Sequence, residues 1–472
     1  MPQMCGVFFV LRRKKRQLTR KKACFANLIN WRHIMKQSNV TLCQLLTSID
    51  ELTSDPVKLA VNPDKDFTRH RKLGPEDLIR MLLTMEADST NQEIHRYFYH
   101  QDDSLTKAAF YKQRCKLNPN ALPALCRSFN SKLPVKLYNE EYRLLACDGS
   151  GANILRNPDD PETYYPPSGR SKSGVNLIHI NSLYSVLDRR IIDIIVQPGR
   201  KKNEYAAFCQ MVDAYGNDGT PAIFLADRGY ASYNNFAHVI ENGHFFLIRC
   251  NDTRLERILG KPIDDLREME ARFNRILTRS KSVSKYSHPE MADCYRFICQ
   301  EVPFDYIDKT HPEYQINLRV IRFELSSGNF ENIITNLPED KFDFEDFKKL
   351  YFMRWGEENC FRDLKYPLAL NQFHSKKYKY IVQEIWARAI LHNFGTAIFS
   401  AITIKKSNTK FTYQLNFSEA FKICREFLRN RDPNRHINVE SLIASHVEAV
   451  RPGRTFKQRL RFNLPFSFCY RN

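Results

Sequence analysis

Two aspartates close apolar runs in this chain. Asp148 follows Leu144-Leu-Ala-Cys147, and Asp227 follows Ile223-Phe-Leu-Ala226. Each reads as the C-terminal end of a buried strand, the place where sites form in an α/β sheet. A carboxylate there is free to leave the core and bind a hard cation through oxygen. Glycine is scarce, 16 in 472 residues, yet Gly149, Gly151 and Gly229 stand beside these aspartates and would let a ligand approach the backbone. Either aspartate alone, with its glycine, is also ordinary turn chemistry.

A third element joins them. The run Tyr351-Phe-Met-Arg354-Trp355-Gly-Glu-Glu358-Asn-Cys-Phe-Arg362-Asp-Leu-Lys365 reads as part of one long helix that begins near Phe344. At about 3.6 residues per turn, positions 351, 354, 358, 362 and 365 lie close to one face. That face carries a phenol, three cations and a carboxylate. Glu358 is a candidate third ligand, and the cations suit phosphates on either side of it. Taken alone, the same face also reads as a solvated surface with a Glu358–Arg362 ion pair, and Tyr351 and Trp355 as core packing.

The elements that must position these groups follow from periodicity. Residues 75–133 read as helices, with Pro75 in a first turn and Leu78, Ile79, Leu82 and Leu83 at helical spacing. Two more helices are expected near 91–99 and 106–116. Their Arg96, Lys107, Lys112, Arg114 and Lys116 suit a small DNA-contacting bundle, and equally a plain helical domain. The texture changes at Arg143. Strands are expected at 143–147, 175–187, 190–196, 222–226 and 244–249, with helices at 204–215 and 234–242, a mixed α/β pattern. Residues 251–345 interrupt it with strand-like runs at 318–325 and 331–337. Residues 380–472 read as helical and end in a basic tail that includes Arg451, Arg454, Lys457 and Arg459.

Charge gives these groups a partner. Lysine and arginine number 72 against 53 acids, a formal charge of +19, which points to a polyanion and most simply to nucleic acid. Nine of the basic residues and no acid fall within 1–34, so the rest of the chain carries an excess of 10. Residues 1–36 read as a detached basic extension, with Met35 as the expected natural start. The 13 scattered cysteines, none at CxxC spacing, read as reduced buried thiols. No apolar run of about 20 residues exists; the longest, around 390–404, is broken by His392 and Asn393. The short apolar run at 7–11 precedes the basic cluster, the wrong order for a signal peptide. Solute carriers, secreted disulfide scaffolds and membrane enzymes are therefore poor readings. The absence of a glycine-rich phosphate loop disfavours a nucleotide-binding enzyme.

The spacing Tyr-x2-Arg-x3-Glu-x6-Lys at Tyr351, Arg354, Glu358 and Lys365 resembles the signature of the insertion-sequence-four (IS-four) type of bacterial DDE transposase. CDGS at Asp148, ADRGY at Asp227, ITNLP at 334–338 and FHSKKYKYIVQEIWA at 373–387 resemble the same family. The likeness spans about residues 65–460 and leaves out 1–34. Glu357 stands beside Glu358, and the register of the signature selects Glu358.

The resemblance implies an α/β fold: an RNase H-like mixed-sheet catalytic core interrupted by a mainly β insertion, with a helical N-terminal DNA-binding region and a helical C-terminus. The expected boundaries are a basic extension at 1–36, the N-terminal region at 37–138, the core at 139–250 and 346–400, the insertion at 251–345, and the C-terminal region at 401–472. Asp148, Asp227 and Glu358 would be catalytic and hold two Mg²⁺ (or Mn²⁺) ions roughly 3.5–4 Å apart, with Asp148 bridging both. Tyr351, Arg354 and Lys365 would contact DNA. The family binds double-stranded DNA at terminal inverted repeats, cuts it and joins it to a target as a homodimer assembled on DNA, in the bacterial cytoplasm and without a membrane. Arg170–Lys172 and the run 200–202 are further candidates for phosphate contact, and groove reading is expected from 65–133. Trp355 would stack on a base or pack in the core. Two other readings stay open. A catalytically inactive DNA-binding descendant would have lost an acid. Another RNase H-like nuclease has no reason to carry the Tyr-Arg-Glu-Lys helix.

Overall fold

The computed structural model describes residues 36–99, 104–168, 173–260, 262–263, 268–281, 294–325, 328–354, 356–370, 372–404, 411–432 and 435–450. The basic extension at 1–35, the loop Arg170–Lys172, Trp355 and the basic tail from Arg451 lie outside the described residues. So do the side chains of Glu357, Glu358 and Asn359, whose backbone lies in a helix.

Among the described residues the chain begins with α1 (Gln37–Thr53), α2 (Pro56–Leu59), α3 (Pro75–Thr84), α4 (Thr90–Tyr97), α5 (Lys107–Arg114) and α6 (Ala121–Asn130). Their ends follow from the sequence. Pro75 opens α3, with Glu76 and Asp77 in its first turn. The side chains of Ser89 and Thr106 accept from the backbone of Gln92 and Ala109 and so cap α4 and α5. Leu78, Ile79, Leu82 and Leu83 of α3 are buried, as their spacing predicts.

A mixed sheet follows, with its strands in the order β2-β3-β1-β5-β6-β10-β9-β7-β8 and with β4 also paired to β3. The first part is β1 (Arg143–Ile154), β2 (Tyr164–Tyr165), β3 (Val175–Ser185) and β4 (Arg190–Pro198), then α7 (Glu204–Tyr215), β5 (Ala222–Ala226), α8 (Tyr233–Glu241), β6 (Phe245–Cys250) and α9 (Asp252–Leu259). β1, β5 and β6 run parallel at its centre, while β3 is antiparallel to β1. The segment 251–345 contributes β7 (Met269–Thr278), β8 (Tyr295–Phe297), β9 (Glu313–Glu324) and β10 (Phe330–Thr335). These strands lengthen the same sheet, because β10 pairs with β6. All five residues of β5 are fully buried. Burying Ile223, Phe224 and Leu225 stabilises the centre by about 1.5–3 kcal/mol each. Phe224 faces the cluster of α7 and α8, and Ile223 and Leu225 face that of α10 (Phe344–Met353).

The chain ends with α11 (Gly356–Lys365), α12 (Tyr378–Phe399), β11 (Thr412–Leu415), α13 (Phe417–Arg429), α14 (Val439–Ser445) and β12 (Val447–Val450). α12 is buried on nearly every side, and apolar residues on all its faces are joined by buried polar groups such as Glu384, Arg388 and Asn393. It packs against α1, α3, α6 and α13, so the N-terminal and C-terminal helices share one core. Among the described residues no helix is long and apolar enough to cross a membrane.

Three expectations are corrected. Residues 380–472, expected to be helical, also carry the antiparallel pair β11–β12. β1 does not end at Asp148; it continues through Gly149 and Gly151 to Ile154, paired with β3. The helix expected from Phe344 past Lys365 is two helices, with Arg354 as the C-cap of the first. The reason is packing on two different parts of the sheet: α10 lies against β9, and α11 against β1.

Candidate active site

The site begins with strand register. β1 and β5 pair in parallel up to Cys147 and Ala226, so the next residue on each chain is an aspartate. Neighbouring strands lie about 4.8 Å apart, which sets Asp148 and Asp227 abreast. Leu144 and Ala146 face the α10 side of the sheet, and side chains alternate, so Asp148 shares that face. Asp227 caps the short turn Arg228–Tyr230. Gly149 needs no turn. A Cβ there would come within 2.4 Å of His179 Nε2 and 3.1 Å of Glu204 Oε1. Glycine instead leaves room for that histidine and glutamate, which stand 2.9 Å apart.

Cations border the aspartates from two directions. Lys365, the last residue of α11, donates to Ser150 Oγ on β1. Burial pushes its ammonium below the ordinary lysine pKa, and the Asp148 carboxylate opposes that shift. On the other side Arg249, near the end of β6, donates from Nη1 to Asp227 Oδ1 at 3.0 Å. Its Nε donates to Glu331 Oε2 at 2.9 Å, and its Nη2 to Glu331 Oε1. The guanidinium lies over the Tyr351 ring, 5.5 Å from the centroid.

The structure brings Asp148, Asp227 and Lys365 together. It places the backbone of Glu358 on α11, the helix packed on β1, while its side chain lies outside the described residues. Tyr351 is only 3% exposed and packs on Phe323. Burial raises the pKa of its phenol, with the Arg249 charge working the other way. Arg354 is 5% exposed. These two residues of the signature therefore lie under the site.

The more distant cations divide. Arg200 and Lys201 are exposed; Arg200 lies over the Tyr165 ring and Lys201 pairs with Glu162. Lys107 and Lys112 are exposed on α5. Arg114, expected among the DNA-contacting cations, is instead fully buried and paired with Glu384 at 3.0 Å. An uncompensated charge inside a helical core would be costly, and Glu384 on α12 supplies the compensation. Arg96 is likewise tied to Asp88 and Glu93.

Reading from sequence missed Arg249 and Glu331. Arg249 had a signal, since it stands near the end of an apolar strand as Asp227 does. Glu331 had none, being one acid in a charge-rich segment. Among the described residues no group of three or more metal-ligating side chains is assembled. The two carboxylates abreast, Asp148 and Asp227, nevertheless suit a hard cation.

The fold and site thus define an α/β protein whose paired acids and flanking cations suit phosphate chemistry. A family model described as Transposase DDE domain matches residues 139–394. The chain belongs to the transposase DDE domain family. A cryo-EM structure of a piggyBac transposase synaptic complex with hairpin DNA is similar at 10% identity and a TM-score of 0.44, over 90% of this chain and 88% of that one. No curated protein matches the chain.

Proposed function

We propose that the protein is a bacterial transposase of the IS-four type, which binds the inverted repeats at the ends of an insertion sequence, cuts the DNA and joins it to a target. The register that sets Asp148 and Asp227 abreast carries this reading. The mixed sheet, with β1, β5 and β6 parallel at its centre and β3 antiparallel beside β1, supports the proposed RNase H-like core. Residues 37–138 would help to bind DNA, and two copies would assemble on paired ends. The protein would work in the cytoplasm, on the nucleoid.

Asp148, Asp227 and Glu358 would hold the Mg²⁺ ions. When bound, these supply an activated water or DNA 3′-hydroxyl and stabilisation of the leaving oxygen. The chain's own residues do the rest. Lys365 sits where it can hold a phosphate next to Asp148, and Arg354 adds positive charge beneath. The exposed Arg200, Lys201, Lys107 and Lys112 would grip the backbone further out, with affinity that falls steeply as salt rises. Burial of Lys365 makes its charge stronger toward a phosphate than a solvated lysine would be.

The test is Mg²⁺-dependent cleavage of linear DNA carrying the element's own flanking ends. The native protein cuts at the ends, and Asp148→Ala, Asp227→Ala and Glu358→Ala abolish cutting while leaving DNA binding in place. Undiminished cleavage by the three variants overturns the site. Folded native protein that binds the ends and never cuts is the inactive descendant.

A further inference from the structure

Asp227 has two carboxylate oxygens, and one of them is clasped. Oδ1 accepts from the Arg228 backbone N–H at 2.7 Å and from Arg249 Nη1 at 3.0 Å. Among the described residues Oδ2 has no hydrogen-bond partner. The clasp is itself held. Glu331 on β10 takes two donors of the Arg249 guanidinium, one on each of its oxygens. Tyr351 at the end of α10 lies with its ring against the guanidinium. Arg249 and Glu331 are both largely buried, their side chains 19% and 15% exposed. A planar fork paired at two points and stacked on a ring has little freedom left to turn.

We infer that Arg249, held by Glu331 and Tyr351, is a positioning residue that fixes Asp227 with Oδ1 engaged and Oδ2 offered to a divalent cation. The inference rests on the metal reading above. It gives Tyr351 a task other than touching DNA: as part of the signature it acts through Arg249 on the second aspartate. The relay crosses β5, β6, β10 and α10, so it exists only when the strands of segment 251–345 have joined the sheet. Partners that orient a ligating carboxylate commonly hold a 10–100-fold share of metal affinity, about 10–100-fold being the loss on their removal. Simple electrostatics predicts the opposite sign, since removing a cation beside a carboxylate should tighten cation binding. The two accounts are therefore separable.

The experiment is a titration of the full chain with Mn²⁺ alone, read by electron paramagnetic resonance, with circular dichroism to confirm folding. Arg249→Gln is expected to weaken Mn²⁺ binding by about 10–100-fold. Glu331→Gln and Tyr351→Leu are expected to weaken it in the same direction but less, because each loosens Arg249 without removing it. Arg249→Lys should stay weak, since an ammonium cannot bridge Asp227 and Glu331 with a planar fork. End cleavage by Glu331→Gln should recover when Mn²⁺ is raised, a rescue that a merely structural defect would not show. Should Arg249→Gln fail to fold, the Glu331→Gln and Tyr351→Leu titrations decide the matter. Unchanged or tighter binding in the folded variants overturns the inference alone. A native chain that binds no Mn²⁺ overturns it together with the metal reading.

Discussion

Lys365 is held at a cost to stability. It is half-buried on β1, and burial disfavours its ammonium more than Asp148 restores it. The folded pKa is lowered, so the unfolded chain binds this proton more tightly. The penalty is complete below the folded pKa, fades as pH rises through it, and is gone above the ordinary lysine value of about 10.4. Lys365→Met should therefore melt higher than the native protein at neutral pH, and lose end cleavage. Thermal melts at rising pH check the sign, because the two proteins should converge as lysine's ordinary range is approached. Equal melting at neutral pH would show that the charge is not strained by burial. Stability given up beside the proposed scissile site fits a group kept for chemistry.

The break between α10 and α11 matters at the scale of elements. A Cβ on Gly356 would stand 3.2 Å from Val186 Cγ1, beside the β3–β4 hairpin. Glycine lets the chain pass close to that hairpin as it moves along the sheet from β9 to β1. Gly356→Val should force the hairpin and α11 apart and destabilise the protein by about 1–3 kcal/mol. Adding Val186→Ala should restore part of the loss. Urea unfolding of the single and double variants measures both, and independent, additive effects would remove the contact from the argument. The separation has a consequence for the signature. Tyr351 ends up against β9 and the Arg249 relay, and Lys365 against β1, on the two sides of the paired aspartates.

At the scale of the whole molecule, a buried charge network joins the N-terminal helices to α12. Glu384 is bonded to Arg114 at 3.0 Å and to His374 Nδ1 at 3.0 Å, with Arg388 at 3.4 Å. Glu93 of α4 lies 3.8 Å from His374 Nε2. Burial works against protonation of His374, but the two glutamates outweigh it and raise its pKa. Glu384 is held well below the usual carboxylate range in spite of burial, by His374 and then Arg114. A histidine with a raised folded pKa contributes stability that is fully present below its ordinary value of about 6.5 and is lost as pH rises through the folded value. The native protein should therefore be less stable to urea at about pH 8.5 than at about pH 6, and His374→Gln should flatten that dependence. A variant that keeps the full pH slope would place its origin elsewhere. The network makes the expected DNA-binding region and the C-terminal helices one body, which composition along the chain could not reveal.

Much was legible in the sequence because it is written at short range. The bounds of α7 and β5 follow from local periodicity, and Asp227 stands out because an acid ends an apolar strand. The signature at Tyr351, Arg354, Glu358 and Lys365 needs only spacing. What the sequence could not decide was contact between distant segments. Arg114 looks like any basic residue on a short helix until Glu384, on another helix, buries it. Arg249 and Glu331 are separated by 82 residues and meet only because β10 pairs with β6. Even Asp148 and Asp227 become a pair through the register of two strands, not through anything local to either. The sequence determined which groups could do chemistry; sheet register and burial, which act across the whole chain, decided which of them stand together and which are spent on holding the fold.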